Sequence, residues 1–278
     1  MHLTLGHSPD PDDAFMFWAL AHDQIPTGEY TFEHILQDIQ TLNERAMRGE
    51  LHITAISIHA YAYVLDKYAL LPTGSSMGDD YGPMVVTRQD SGLTLADLKG
   101  TKIAIPGTMT TAYLALRLIL QSDFEYEVIP FDQIIPKVAD GSFEAGLIIH
   151  EGQLSYPQQG LKLLLDTGKW WKKETGLPLP LGGNAIRKDL GSERMSEINK
   201  VLLHSIRHGL EHRQEALEYA LKYARDMGRD TADQFVGMYV NDYTLDYGEQ
   251  GRKAVRLLLD KGARAGILPK VETLQFVS

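Results

Sequence analysis

The sequence predicts an α/β protein of two lobes, with the chain crossing twice between them. Three observations predict it. Short apolar runs of strand length alternate with helical patterns through the first two thirds of the chain. That alternation is broken by a polar stretch at Gln89–Gly92 and by a proline- and glycine-rich one at Leu177–Gly183, where a chain would pass from one lobe to the other. The final third then reads as helix after helix. A chain of 278 residues is long enough for two cores. The expected division places residues 1–88 and 182–278 in a discontinuous first lobe and 89–181 in a second, with a ligand cleft between them.

Composition narrows the function classes. A hydrophobic content of 44% with 23% charged residues is ordinary for a globular protein. The formal net charge of −10 argues against partners bound through bulk positive charge, so neither nucleic acid nor an anionic membrane is expected. An anionic small molecule remains compatible, since a few local amides suffice to hold one. Cysteine is absent, which removes disulfides, thiolate nucleophiles and cysteine-ligated metals together. Met1–Gly6 already alternates as a strand, without the basic and apolar regions of a secretory signal before it. No apolar run approaches the roughly 20 residues that cross a bilayer. A soluble, cytoplasmic protein is expected.

Taken in order, Leu3–Leu5 is a strand that runs into His7-Ser8-Pro9-Asp10-Pro11-Asp12-Asp13, where the prolines forbid regular structure. Asp12 or Asp13 is expected to cap the helix of Ala14–Leu20, leaving Ser8 near a helix N-terminus that can face a ligand. Consecutive carboxylates around prolines rarely converge on one ion, so no metal is expected there. Thr41–Arg48 is a helix stopped by Gly49, and it carries Asn43. Leu51–Ser57 is a strand and Ile58–Tyr68 a helix, which puts Ser57 at a strand-to-helix junction where a hydroxyl and amides meet an oxyanion. Tyr61 and Tyr63 cannot share a helix face. Gly74–Gly82 is a loop and Pro83–Arg88 a strand.

In Leu93–Leu120, Thr94 caps a short turn, Lys102–Ile105 is a strand, and a long helix opens at Thr108–Thr111. Thr110 and Thr111 bring two hydroxyls to that helix N-terminus, a setting suited to a carboxylate or phosphate. The lysine and glycine spacing of a P-loop are missing. Val128–Phe131 and Phe143–His150 are strands on either side of a helix at Gln133–Ala139. The second of these ends in GLIIHEGQLSY, Gly146–Tyr156, which delivers His150 and Glu151 just past a buried apolar run. Ligands of open α/β sheets bind beyond the carboxyl ends of strands, and a histidine held there is suited to accept a proton near neutral pH. Leu161–Leu165 and Asn184–Arg187 are further strands around the amphipathic helix of Trp170-Trp171. Helices follow at Ser192–His212, Gln214–Met227, Thr231–Val240 and Glu249–Ala265. His204, His208 and His212 fall on one helix face and read as a surface stripe.

DLKGTKIAIPGTMTTAYLALRL resembles the matching stretch of type 2 periplasmic solute-binding proteins, whose two lobes close on a ligand like a Venus flytrap. With SPDPDDAFMFWAL, TLNERAMRGEL, GLIIHEGQLSYPQQGL and YVNDYTLDYGEQG, the chain resembles, nearly end to end, the 1,4-dihydroxy-6-naphthoate synthase family of the futalosine route to menaquinone. The resemblance implies a type 2 periplasmic-binding-protein-like fold and a cofactor-free cytoplasmic lyase. Its reaction would convert cyclic dehypoxanthinylfutalosine, a small-molecule carboxylate, to 1,4-dihydroxy-6-naphthoate. It implies that His150 is the proton acceptor and that Ala55, Ile56, Ser57, Thr110 and Thr111 bind substrate, with Ser8 and Asn43 as further candidates. Family members often read SPCPND where this chain has Ser8–Asp13. Two other readings share the fold: a non-catalytic binding protein for a small carboxylate, and the chorismate dehydratase of the same route. A homodimer is compatible with either enzyme.

Overall fold

The computed structural model describes residues 1–224 and 228–278. Two sheets organise it. In the first, β1 (His2–His7) lies between β2 (Thr31–Leu36) and β3 (Ile53–Ser57), all parallel. β4 (Tyr68–Leu70) and the short β5 (Ser76–Gly78) both pair antiparallel with a late strand described below. In the second, β6 (Met84–Arg88) runs antiparallel to β9 (Ala145–Ile148) and to β10 (Leu161–Asp166). β7 (Ile103–Ile105) is parallel to β9 and to β8 (Tyr126–Val128). The late strand, β11 (Leu179–Arg187), returns to the first sheet between β3 and β4.

The two sheets therefore repeat one plan. Their strand orders are β2-β1-β3-β11-β4 and β8-β7-β9-β6-β10, and in each the fourth strand is the first one after a crossing between the sheets and runs antiparallel to the third. The strand at 84–88, expected to close the first lobe, instead belongs to the second sheet. Its Val85 and Val86 are fully buried, as a central strand covered on both faces requires. The first crossing therefore lies between Gly78 and Met84 rather than at 89–92. Here the chain presses against the following lobe, because a Cβ on Gly168 would stand 1.8 Å from the Tyr81 carbonyl oxygen.

Most helices follow the sequence pattern. α1 (Pro11–Ala21) begins at proline, whose missing N–H costs nothing at the first helical position. Asp12 and Asp13 therefore sit inside its first turn rather than capping it, and Asp10 holds the cap position. α2 (Ile39–Arg48) ends at Gly49 with φ +69°, a left-handed stop that suits glycine. The helix expected over 58–68 is a single turn, α3 (Ile58–Tyr61), because Tyr68–Leu70 is drawn into the sheet beside β11. Tyr61 is buried and Tyr63 exposed, as their spacing requires. β2 is an edge strand announced by no apolar run, and the strand expected at Val128–Phe131 is displaced to β8, with a 3₁₀ turn at Phe131–Gln133.

α4 (Thr111–Leu120), α5 (Ile134–Ala139) and α6 (Thr167–Thr175) cover the second sheet, where Trp171 is fully buried and donates its indole N–H to the Pro178 carbonyl at 3.0 Å. α7 (Ser192–Glu211), α8 (Arg213–Ala220) and α9 (Arg229–Tyr239) pack with α1 into the largest apolar cluster. The helix expected over 214–227 ends at Ala220, followed by a 3₁₀ turn at Leu221–Tyr223, and 225–227 lie outside the described residues. After α10 (Asp242–Leu245), α11 (Gly248–Arg264) joins a second cluster that also takes in Leu114, Ala115 and Trp171, so the two lobes share apolar packing. No helix among the described residues is long and apolar enough to cross a membrane.

Candidate active site

A cleft open to solvent lies where the strand ends of the two sheets face each other. The shared strand plan explains its walls. β1 and β3 end at Ser8 and at Ser57, and their counterparts β7 and β9 lead to Thr110–Thr111 and to Ile149. Ala55, Ile56, Ser57, Thr110, Thr111 and Ser8 all line it.

How these side chains are held differs from the sequence expectation. Ser57 makes no cap bond to α3. Its N–H donates to Asn43 Oδ1 at 2.9 Å and its Oγ accepts from Asn43 Nδ2 at 3.0 Å, which leaves the hydroxyl proton to face an acceptor in the cleft. Asn43 stands behind the wall, fully buried, and its amide also reaches the Met109 carbonyl at 3.3 Å in the other lobe. The two threonines divide their work. Thr110 caps α4, accepting from Tyr113 N–H at 3.2 Å. Thr111 accepts from His59 N–H at 3.2 Å and donates to the Leu181 carbonyl at 2.5 Å, tying α4 to the first lobe. Both hydroxyls are thus engaged by protein, and the feature left for an anion at this end of α4 is the first-turn backbone amides.

The acidic loop contributes more than punctuation. Ser8 N–H donates to Asp13 at 2.6 Å, and burial raises the Asp13 carboxyl to about 6. Asp12 keeps part of its surface open to the cleft, yet its crowded surroundings, followed by the charges of Asp13 and Asp10, push its carboxyl well above the usual range. His7 turns away, with Nδ1 on the Ser8 carbonyl at 3.1 Å and Nε2 on His34 at 3.0 Å. Burial first, then His34, lowers its pKa to about 3. Among the described residues, the group of metal-ligating side chains that does converge is His208 and Glu211 on α7 with His212 just past its end, without His204.

His150 lies two residues past the end of β9 and is not part of the cleft lining, which its neighbour Ile149 reaches instead. Its ring is 7% exposed, edge-on to Phe131 at 5.5 Å, and heads a 3₁₀ turn at Glu151–Leu154. Nδ1 accepts the Gly152 N–H at 3.0 Å, while Nε2 is buried without a hydrogen-bond partner among the described residues. An accepting Nδ1 puts the proton of the neutral ring on Nε2. The Glu151 carboxylate lies 3.6 Å from the same Nδ1 and favours the opposite tautomer.

Among the cleft residues that sequence reasoning did not name as site residues are Asp12, Gly182, Asn184 and Tyr239. Glycines at the second crossing and the position of Tyr239 at the head of YVNDYTLDYGEQG were the available signals.

Comparison with known proteins places this geometry. Two proteins named 1,4-dihydroxy-6-naphthoate synthase are close in sequence. The one from Thermus thermophilus is 43% identical over 204 residues, 73% of each chain, and the one from Streptomyces coelicolor is 39% identical over 272 residues, 96% of this chain and 95% of that one. A solved protein of Archaeoglobus fulgidus is 45% identical with a TM-score of 0.91, covering 96% of this chain and 98% of its own. The alkanesulfonate-binding protein of Xanthomonas axonopodis, at 15% identity and a TM-score of 0.72 over 97% of this chain and 94% of that one, shows the periplasmic-binding-protein-like fold. A family model described as menaquinone biosynthesis matches residues 3–264. Because that match runs through both sheets and every wall of the cleft, the chain belongs to the menaquinone biosynthesis family of enzymes.

Proposed function

We propose that the protein is a lyase that converts cyclic dehypoxanthinylfutalosine to 1,4-dihydroxy-6-naphthoate, with His150 as the general base. The observation that carries this reading is a cleft walled by strand ends of both sheets, with a histidine just past the strand beside it, in a chain aligned nearly end to end with a named synthase. Ser57, with its free hydroxyl proton, and the first-turn amides of α4 suit the oxygens of a carboxylate-bearing substrate. A base removes a proton from the substrate, and formation of an aromatic diol then drives fragmentation of the sugar-derived ring.

To accept a proton, Nε2 must present its lone pair, so Nδ1 must carry the hydrogen. Moving the ring from the Gly152 amide toward Glu151 supplies that tautomer, which makes Glu151 the orienting group. Closed lobes exclude water from the intermediate. The test is incubation with cyclic dehypoxanthinylfutalosine without added cofactor, following the naphthoate by mass and absorbance. Product is expected from the native protein. His150→Ala should lower turnover about 100- to 10,000-fold with the fold intact. Near-normal turnover in that variant would remove the base, and ligand binding without product would favour the binding-protein reading.

A further inference from the structure

We infer that Tyr239 and Gln153 form a buried latch between the lobes that holds the His150 turn in register, so that lobe closure and positioning of the base are one event. The inference rests on the proposed lyase reading. Tyr239 closes α9, lines the cleft and is 3% exposed. Its hydroxyl donates to Gln153 Oε1 at 2.8 Å. Gln153, also 3% exposed, lies in the 3₁₀ turn that His150 heads, and its own N–H closes that turn on the His150 carbonyl at 3.0 Å. The Gly152 N–H between them holds the ring itself. A pull on Gln153 is therefore transmitted to His150 through two hydrogen bonds and three peptide units.

Among the described residues the side-chain amide has no second anchor. Gln153 Nε2 is buried without a partner among the described residues, so the Tyr239 bond alone fixes its orientation. Buried polar groups are rarely left so, and one good bond in a dry site holds a side chain firmly because no water competes for it. The tyrosine end is itself braced. The Tyr81 ring meets Tyr239 edge-on at 5.6 Å, and the Tyr81 hydroxyl donates to the Met238 carbonyl. Tyr81 belongs to the first crossing between the lobes, so α9 is clamped to the segment that must move when they part. Burial, followed by the nearby Tyr81 and Asp12, keeps the Tyr239 phenol protonated and hence a donor.

Separation of the lobes breaks this bond and frees the turn. Its closure returns Nδ1 to the place where Gly152 and Glu151 compete for it. Tyr239 lines the cleft while His150 does not, so a ligand there contacts the latch and ties the event to occupancy.

The experiment compares native protein, Tyr239→Phe, Gln153→Met and the double variant, reading kcat and KM on cyclic dehypoxanthinylfutalosine together with melting temperature. Each single variant should lower kcat about ten-fold while KM stays within about two-fold, since the lost bond positions the base rather than the ligand. The double variant replaces both partners by apolar groups and should regain melting temperature while kcat stays at the single-variant level. Recovery of kcat together with melting temperature would reduce the pair to structural glue. Raised KM with intact kcat would make Tyr239 a binding contact only. Unchanged kinetics in the variants of an active protein would overturn the latch and spare the lyase reading, whereas an inactive native protein would overturn both. Should Tyr239→Phe fail to fold, Gln153→Met, which keeps the ring, carries the same kcat prediction.

Discussion

The third strands of the two sheets, β3 and β9, occupy the same place in the same plan and end in opposite ways. β3 delivers Ser57 into an open wall, where a buried asparagine behind it fixes both the amide and the hydroxyl. β9 leads to His150 in a closed turn, where Nε2 is buried and the residue lies one position beyond the cleft-lining Ile149. On the proposed reading, the same topology provides one end preformed for binding and one whose chemistry depends on the setting of a short turn. Binding groups are best held rigid, while a base must exchange hydrogen-bond partners as it gains a proton.

That contrast is open to being broken at each end. The largest effect is expected at the His150 turn. A Cβ on Gly152 would stand 2.4 Å from Ile135 Cδ1 and 2.6 Å from His150 Cε1. Gly152→Ala should therefore displace the ring and lower kcat by at least about ten-fold, at a stability cost of about 1–3 kcal/mol measurable by urea unfolding. Preserved kcat would show that the turn tolerates movement that the proposed base cannot. At the Ser57 end, Asn43→Ala leaves a buried N–H and hydroxyl without their partner. A loss of about 2 kcal/mol in stability is expected, with KM rising more than kcat falls. A fall in kcat alone would erase the distinction between the two ends.

The smallest effect concerns the acidic loop. Asp13, with its folded pKa raised to about 6 above an ordinary value of 3.8, binds more protons folded than unfolded between those values. It therefore costs stability as pH rises through that window. His7 acts in the opposite sense. Its folded pKa of about 3 lies below 6.5, so stability falls as pH drops from about 6.5 toward 3. Asp13→Asn should gain stability over the native protein as pH rises from about 4 to 6 and hold that gain above it. Thermal melts across pH 4–8 that run parallel for the two proteins would show that Asp13 is not forced toward neutrality.

Much of this was legible in the chain. Apolar runs such as Ile53–Ser57 and Ala145–Ile148 could only be buried strands, and Gly49 and Thr94 marked helix ends through local backbone chemistry. The strand-end positions of Ser57 and His150 followed from the same local patterns. Tertiary pairing decided the remainder. Met84–Arg88 reads identically as the last strand of one lobe or the first of the next, and only its partners β9 and β10 assign it. Tyr68–Leu70 gave up a helical pattern because β11 offered a ladder. Residue order showed that Thr110 and Thr111 open a helix, but not that Thr111 would be spent on the Leu181 carbonyl. Nor could it show that Tyr239 would meet Gln153, since a bond between residues 86 positions apart exists only once both lobes are packed. Local periodicity is set by neighbours along the chain and survives in the sequence, whereas the partner of a buried polar group is chosen by whatever packing brings beside it.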